Sequence, residues 1–544
     1  MTGIGSGAER TAAASATVWE AFERTAAAHG EKPFLCIPAR AGRAYAPVGV
    51  ELTYAEALAE ASRRAAIFRA KGYGPGHRVA LALENRPDHI LTQLALYAVG
   101  ACQVPVNLDY KDHELDYLLE HSEADLALGL PSNMDWLTRA ANALSIPAFE
   151  ISDLSEIPDA PRPAAGAATR QTEAALIYTS GTTGRPKGCV LDHEYHFAVG
   201  LWYAKLGGRL TLEHGKERLF VPLPVFHVNA GINTLTAVIL TANCLILPDR
   251  FHAETWWRDL VETRATGMHY LGVIPPILLK KPETSQERSH TVKFGLGAGL
   301  DPAIHQAFED RFGIPMVEVW GMTETGRFLA DNHEPRRIDT RAFGKPFAEM
   351  EAMVADGNDV ELPRGEAGEL VVRCAGDDPR RGFFRGYLKN QEETEKVWRS
   401  GWFHTGDVAV MDEDGMLYFV ERRKNIIRRS GENVSAAEVE NALIDHPAID
   451  AVAVIGVVDE LRDEEIMACV VTDAARDAAT AEAVQAHCRD TLAYYKWPAW
   501  VAFVDDLPRT GTEKVRKGLI FPDHEDPRDA PDVFDLRPMK KRTA

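Results

Sequence analysis

Between Leu52 and Val106 the chain switches repeatedly between helical and strand periodicity, and this switching restricts its fold more than any other feature. Thr53 and Glu56 have the spacing of a capping box, in which each side chain bonds the other's backbone N–H. Leu58, Ala61, Ala65 and Phe68 follow at helical spacing, and Gly72 stops the helix. Val79 to Leu83 reads as a strand, Ile90 to Val99 as a helix, and Cys102 to Val106 as a short apolar strand closed by Asn107. Strand, helix and strand in succession predict parallel strands joined by crossover helices. The fold class is therefore α/β, with helix-covered sheets.

The length of 544 residues implies more than one domain. Ile157 to Gln171 is rich in Pro and Ala without periodicity, and reads as a surface connection before the strand Ala174 to Tyr178. A second change comes at the basic run Glu421 to Arg429. Beyond it, Ser435 and Glu438 form another capping box, with Val439, Ala442 and Leu443 on one helical face. Strands at Ala451 to Val457, Ile466 to Thr472 and Trp500 to Val504, with a helix near Thr480 to Leu492, complete a small α+β unit. The boundary is set at Lys424, giving a large domain, 1–423, and a small one, 424–544.

Charge and cysteine usage narrow the function. A formal net charge of −20 opposes general affinity for nucleic acid or anionic membranes, so an anionic substrate needs a local site. The seven cysteines are scattered, with no CxxC pair, which fits reduced cytosolic thiols. The N-terminal segment lacks the basic and apolar regions of a signal peptide, and the longest apolar stretch, around Leu235 to Leu247, is too short to span a bilayer. The expected location is the cytoplasm. The sequence leaves the oligomeric state open.

Directly after the strand ending at Tyr178 comes TSGTTGRPKG, Thr179 to Gly188. Three glycines and four hydroxyl side chains can turn backbone N–H groups and hydroxyls around a phosphate chain, with Lys187 adding charge. The loop lacks the Walker A pattern, and a Gly/Thr loop without a ligand is the alternative. The candidate phosphate-binding residues are Thr179, Ser180, Gly181, Thr182, Thr183, Gly184 and Lys187.

The string YTSGTTGRPKG resembles the signature loop of the adenylate-forming superfamily, which comprises acyl-CoA synthetases, luciferases and the adenylation domains of peptide synthetases. VWGMTETG (Val319 to Gly326), GWFHTGD (Gly401 to Asp407), ERRKNIIRRSGENV (Glu421 to Val434) and LPRTGTEK (Leu507 to Lys514) follow in the family's order. The resemblance therefore spans nearly the whole chain. It implies ATP, Mg²⁺ and coenzyme A as ligands and a small-molecule carboxylic acid as substrate. Trp320 would stack on adenine beside Gly321, Thr323 would bond a phosphate, and Glu324 would offer an oxygen to Mg²⁺. Gly297, Ala298 and Gly299 of GLGAGL would lie along the nucleotide, and Asp407 with Arg422 would hold the ribose. His227 would sit at the mouth of the acyl pocket. The run His193 to His196 lacks HExxH spacing, and no zinc is expected there.

Adenylation brings two anions together, so its transition state needs a cation that arrives with them. The resemblance assigns that role to Lys514, although Glu513 replaces the usual glycine before it. It makes Lys424 the hinge of a moving C-terminal domain, and puts Ser430, Gly431 and Glu432 beside the path of the pantetheine arm. The GENV string and Asp459 to Val471 are most similar to CoA ligases of the carnitine and crotonobetaine group. The expected reaction is ATP-dependent acid–thiol ligation. The alternatives are an adenylating enzyme with a carrier-protein or amine acceptor, one acting on an unusual small oxyacid, and a non-catalytic nucleotide-binding homologue.

Overall fold

In the computed structural model, residues 3–179, 186–422, 426–489, 491–508, 515 and 517–540 are described. The first helix read from the sequence runs Tyr54–Ala70, with both halves of the Thr53/Glu56 capping box formed. The next starts at Pro87 rather than Ile90 and ends at Val99. Proline suits a first helical turn, where its missing N–H would have no partner. The strands between them, Arg78–Leu81 and Cys102–Pro105, pair in parallel.

These strands belong to a seven-stranded sheet. Alternation along one strand fills both faces. Val79 and Leu81 pack with Phe68 and Leu96 on one side, whereas Ala80 packs with Leu115, Leu118 and Leu137 on the other. Glu173–Thr179 continues the parallel run, and Lys187–Asp192 returns antiparallel beside it. A second sheet, of eight strands, carries Gly267–Leu271, Phe294–Ala298 and Met316–Trp320 side by side in parallel. The helix His193–Lys205 contributes Tyr195, Phe197, Trp202 and Tyr203 to the core shared by these sheets. A third sheet is antiparallel and holds Trp402–Met411 against Leu417–Arg422.

The fourth sheet has its own core, in which Val439, Leu443, Val454, Ile466 and Val501 meet. The molecule is thus a mixed α/β protein with a large N-terminal domain and a C-terminal domain. Two local readings change. The helix expected from Thr480 to Leu492 is Ala478–His487, started by Asp477. At the second capping box Ser435 accepts the Glu438 N–H, but the Glu438 carboxylate bonds Lys496. A buried ammonium is a stronger partner for that carboxylate than a neutral backbone N–H. All seven cysteines are buried and free. Among the described residues no helix is long and apolar enough to cross a membrane.

Candidate active site

Three parallel strand ends build the floor of the site. Gly297 can only be glycine, since a Cβ there would lie 2.3 Å from the Tyr270 carbonyl oxygen. Ala298 pairs with Leu271, and Gly299 turns with φ +84°. The turn is held from below by Glu318, whose carboxylate accepts the N–H groups of Gly299 at 2.9 Å and Leu300 at 3.1 Å, and also the Tyr270 hydroxyl. Desolvation raises the Glu318 pKa to about 7 despite these donors. Glu318 was not among the residues chosen from sequence. Its signal was available: it precedes Trp320 by two positions and so points to the same face of the strand.

Trp320 and Asp407 meet. The indole Nε1 donates to Asp407 Oδ2 at 2.8 Å, and both residues are buried. The bond fixes the carboxylate, whose backbone N–H is in turn held by Thr405 Oγ1 at 3.0 Å. Arg422 is the cross-strand backbone partner of Asp407. The Arg422 side chain lies outside the described residues. Gly321 follows Trp320, and the Phe328 ring occupies the space a Cβ would take.

Glu324 and Lys187 converge through two residues the motifs did not indicate. The Tyr387 hydroxyl donates to Glu324 Oε1 at 2.8 Å, and the Lys187 ammonium sits 4.7 Å from the centre of the Tyr387 ring. Lys187 also pairs with Glu393 at 2.7 Å. Burial pushes the Tyr387 phenol well above its ordinary pKa, so it stays a donor to the carboxylate. Partners 63 and 206 residues distant leave no local trace in sequence. Thr323 is half-buried beside Glu324. Among the described residues no group of three His, Cys, Asp or Glu side chains is arranged to hold a metal. A single buried carboxylate fits Mg²⁺, which takes one or two protein oxygens and otherwise substrate phosphates and water.

Thr179 and Lys187 are cross-strand partners, so the two ends of the phosphate loop are brought together. Ser180, Gly181, Thr182, Thr183 and Gly184 lie outside the described residues, as do Lys424 and Lys514. His193 and His196 are buried; His196 bonds the Tyr97 hydroxyl and the Asp192 carbonyl, and burial lowers its pKa to about 4.

The C-terminal domain lies against the acid side of the glycine turn. His227 Nε2 is 3.4 Å from Glu432 Oε1. Burial favours a neutral Glu432, but His227, Lys496 and Arg429 outweigh it and hold the carboxyl below its usual range. Gly431, at φ +85°, passes so close to Leu271 that a Cβ would lie 2.2 Å from its Cδ1. The Asp463 carboxylate lies next to Gly272 and Gly299, and desolvation raises its pKa to about 6. Behind this contact Lys496 is buried between Glu438, 2.7 Å away, and Glu114 of the large domain, and the Asn107 side chain donates to the Tyr495 hydroxyl at 3.2 Å. Asp463 and Lys496 become visible as site residues only once the two domains are together, whereas Glu432, read from the sequence as lining the pantetheine path, is met against His227.

A buried carboxylate bonded to an indole, a lysine beside a glycine-rich hairpin and a glycine turn braced by Glu318 suit a nucleotide-dependent enzyme. The chain belongs to the AMP-binding enzyme family, which it matches over residues 22–388, with the AMP-binding enzyme C-terminal domain matched over 438–514. It is 30% identical to the crotonobetaine/carnitine–CoA ligase of Citrobacter koseri over 488 residues, 86% of this chain and 92% of that one. A double mutant of o-succinylbenzoate CoA synthetase from Bacillus subtilis, bound with its product analogue, superposes with a TM-score of 0.79 at 23% identity, covering 93% of this chain and 98% of the other. The same synthetase in complex with AMP gives 0.64 at 24% identity and equal coverage.

Proposed function

We propose that the protein is an AMP-forming acid–thiol ligase. A carboxylate oxygen attacks the α-phosphorus of ATP and expels pyrophosphate; the thiol of coenzyme A then attacks the acyl carbon and expels AMP. The observation that carries this reading is the contact of Gly431, Glu432 and Asp463 with Leu271, His227 and the glycine turn. It sets a second, C-terminal surface over the place where the acyl group would be presented, as a two-step enzyme requires.

In this reading Asp407, steadied by Trp320, accepts the ribose hydroxyls together with Arg422. Thr179 to Gly184, Lys187 and Thr323 receive the phosphates. Mg²⁺, held by Glu324, would neutralise phosphate charge when bound. Gly297, Ala298, Gly299 and Gly321 line the nucleotide and acid, and Glu318 keeps the turn open. His227, oriented by Glu432, borders the acyl carbon. Lys514 supplies the cation for adenylation when domain 424–544 rotates about Lys424 relative to 1–423. The substrate is a small carboxylic acid, the enzyme is cytoplasmic, and nucleic acid is not a partner. The test is ATP–pyrophosphate exchange against a panel of small acids, followed by mass detection of the thioester formed with coenzyme A. AMP release without thioester, or turnover only with an amine or oxygen acceptor, overturns the thiol step and leaves adenylation standing.

A further inference from the structure

The helix His193–Lys205 has two working faces. One turns toward the active site: the Tyr203 hydroxyl is 2.9 Å from His269 Nε2, and His269 Nδ1 is 2.7 Å from Asn229, two residues beyond His227. The other face borders a separate cavity of about 870 Å³, whose walls include Phe197, Ala198, Trp202, Arg327, Phe328 and Phe347. None of the residues assigned to nucleotide, acid or thiol lines it. The helix thus stands between the cavity and His227.

The electrostatics of the cavity do not balance. Its carboxylates are already engaged: Glu194 by Arg170, Glu349 by Lys205, Asp414 by Arg337, Glu334 by Arg209, and Asp331 by the Arg337 N–H. Arg327 is only 7% exposed, yet among the described residues it bonds only the Arg381 carbonyl, and Glu349 and Glu194 act on it from beyond ion-pair distance. A buried guanidinium without an anion is costly and calls for a counter-charge. Lys345 and Arg381, on the exposed rim, form no ion pair among the described residues. The Trp202 indole N–H, buried in the same wall, has no hydrogen-bond partner. Apolar rings with a few convergent polar groups, in a volume within the usual range for small-molecule sites, describe a binding pocket.

We propose that this cavity is a second ligand site, separate from the substrate site, for an amphipathic organic anion: a flat or short apolar body against Trp202, Phe328 and Phe347, with its carboxylate on Arg327. The Phe328 ring also fills the space above Gly321, so the occupant contacts a residue that packs on the nucleotide segment.

The experiment uses the full chain with saturating AMP and 4-iodobenzoate as probe. Calorimetry is expected to give saturable binding, and the anomalous signal of iodine in soaked crystals is expected in this cavity. Arg327→Met should weaken binding by about tenfold or more, the loss expected for a charge-assisted pair. Ala198→Trp, which fills the cavity from the helix, should abolish it while pyrophosphate exchange continues. The second variant carries the test if Arg327→Met does not fold. No binding up to about 10 mM, the weak limit for a single small site, overturns the proposal. So does an iodine peak beside His227 or Gly299, or binding unchanged in Ala198→Trp.

Discussion

Lys496→Met tests the domain contact at its most charged point. The ammonium is buried between Glu114 of the helix Asp112–Ser122 in the large domain and Glu438 of the helix Ala436–Leu443 in the small one. Burial disfavours its charge, but Glu438 and Glu114 outweigh burial and hold its pKa above the ordinary lysine value. Methionine keeps an unbranched chain, one atom shorter, and removes the charge, leaving two carboxylates facing each other without a cation. Breaking a buried ion pair from one side costs about 3–5 kcal/mol. The molecule can avoid that cost without unfolding, because moving the small domain away returns both carboxylates to water. At about 1.4 kcal/mol per decade, the docked fraction should fall by roughly a hundredfold or more. The assay measures the two half-reactions separately. Thioester formation from supplied acyl-AMP should drop steeply, whereas pyrophosphate exchange should persist. Adding Glu114→Gln to the variant should restore part of the loss by removing one of the opposed charges. Equal loss of both half-reactions in a folded protein, or loss of exchange alone, would refute the reasoning.

Four further outcomes are expected. Lys514→Ala should abolish pyrophosphate exchange and leave the thiol step largely intact, and a parallel fall in both would contradict the assignment. Asp407→Ala should weaken ATP binding by about 1–3 kcal/mol, and the buried Trp320 N–H it orphans should cost a similar amount of stability; an unchanged ATP affinity by calorimetry removes Asp407 from the ribose site. Gly431→Leu should spare exchange and block thioester formation, because the new side chain would overlap Leu271; active thioester synthesis in this variant argues against the contact. For Glu318 the folded pKa of about 7 exceeds the ordinary glutamate value of about 4.5, so its ionisation opposes folding, and wild-type stability should fall as pH rises from about 4.5 to 7, by up to about 3 kcal/mol. Glu318→Gln should flatten that slope in urea titrations, and parallel curves for the two proteins would show that Glu318 does not ionise in this window.

Local chemistry was readable in advance where it was contiguous. The Thr53/Glu56 box, the parallel strands around Val79 and Val104, and the glycine turn each follow from residues a few positions apart. Element ends drifted where a neighbouring residue had the better cap, as Pro87 and Asp477 did. The Glu438 carboxylate escaped its capping box because Lys496 reaches it only across folded space. Tyr387, Glu393 and Asp463 were illegible for the same reason. Each earns its place through a partner on another element, and nothing in its immediate sequence distinguishes it from a solvated residue.

The pairing of Lys187 with Glu393 has a consequence for the resting enzyme. Both side chains are about nine-tenths shielded, so the lysine meets an incoming phosphate already neutralised. Glu393 acts as a tethered surrogate anion, present at fixed local concentration whatever the ionic composition outside. Under the proposed function, nucleotide binding is then a displacement, in which triphosphate must outcompete a carboxylate for the same ammonium. A lone sulfate or inorganic phosphate, lacking the ribose and adenine contacts at Asp407 and Trp320, gains too little elsewhere to win that exchange. In the proposed function, selectivity for a whole nucleotide over its charged fragments would thus begin with a residue that need never touch the substrate.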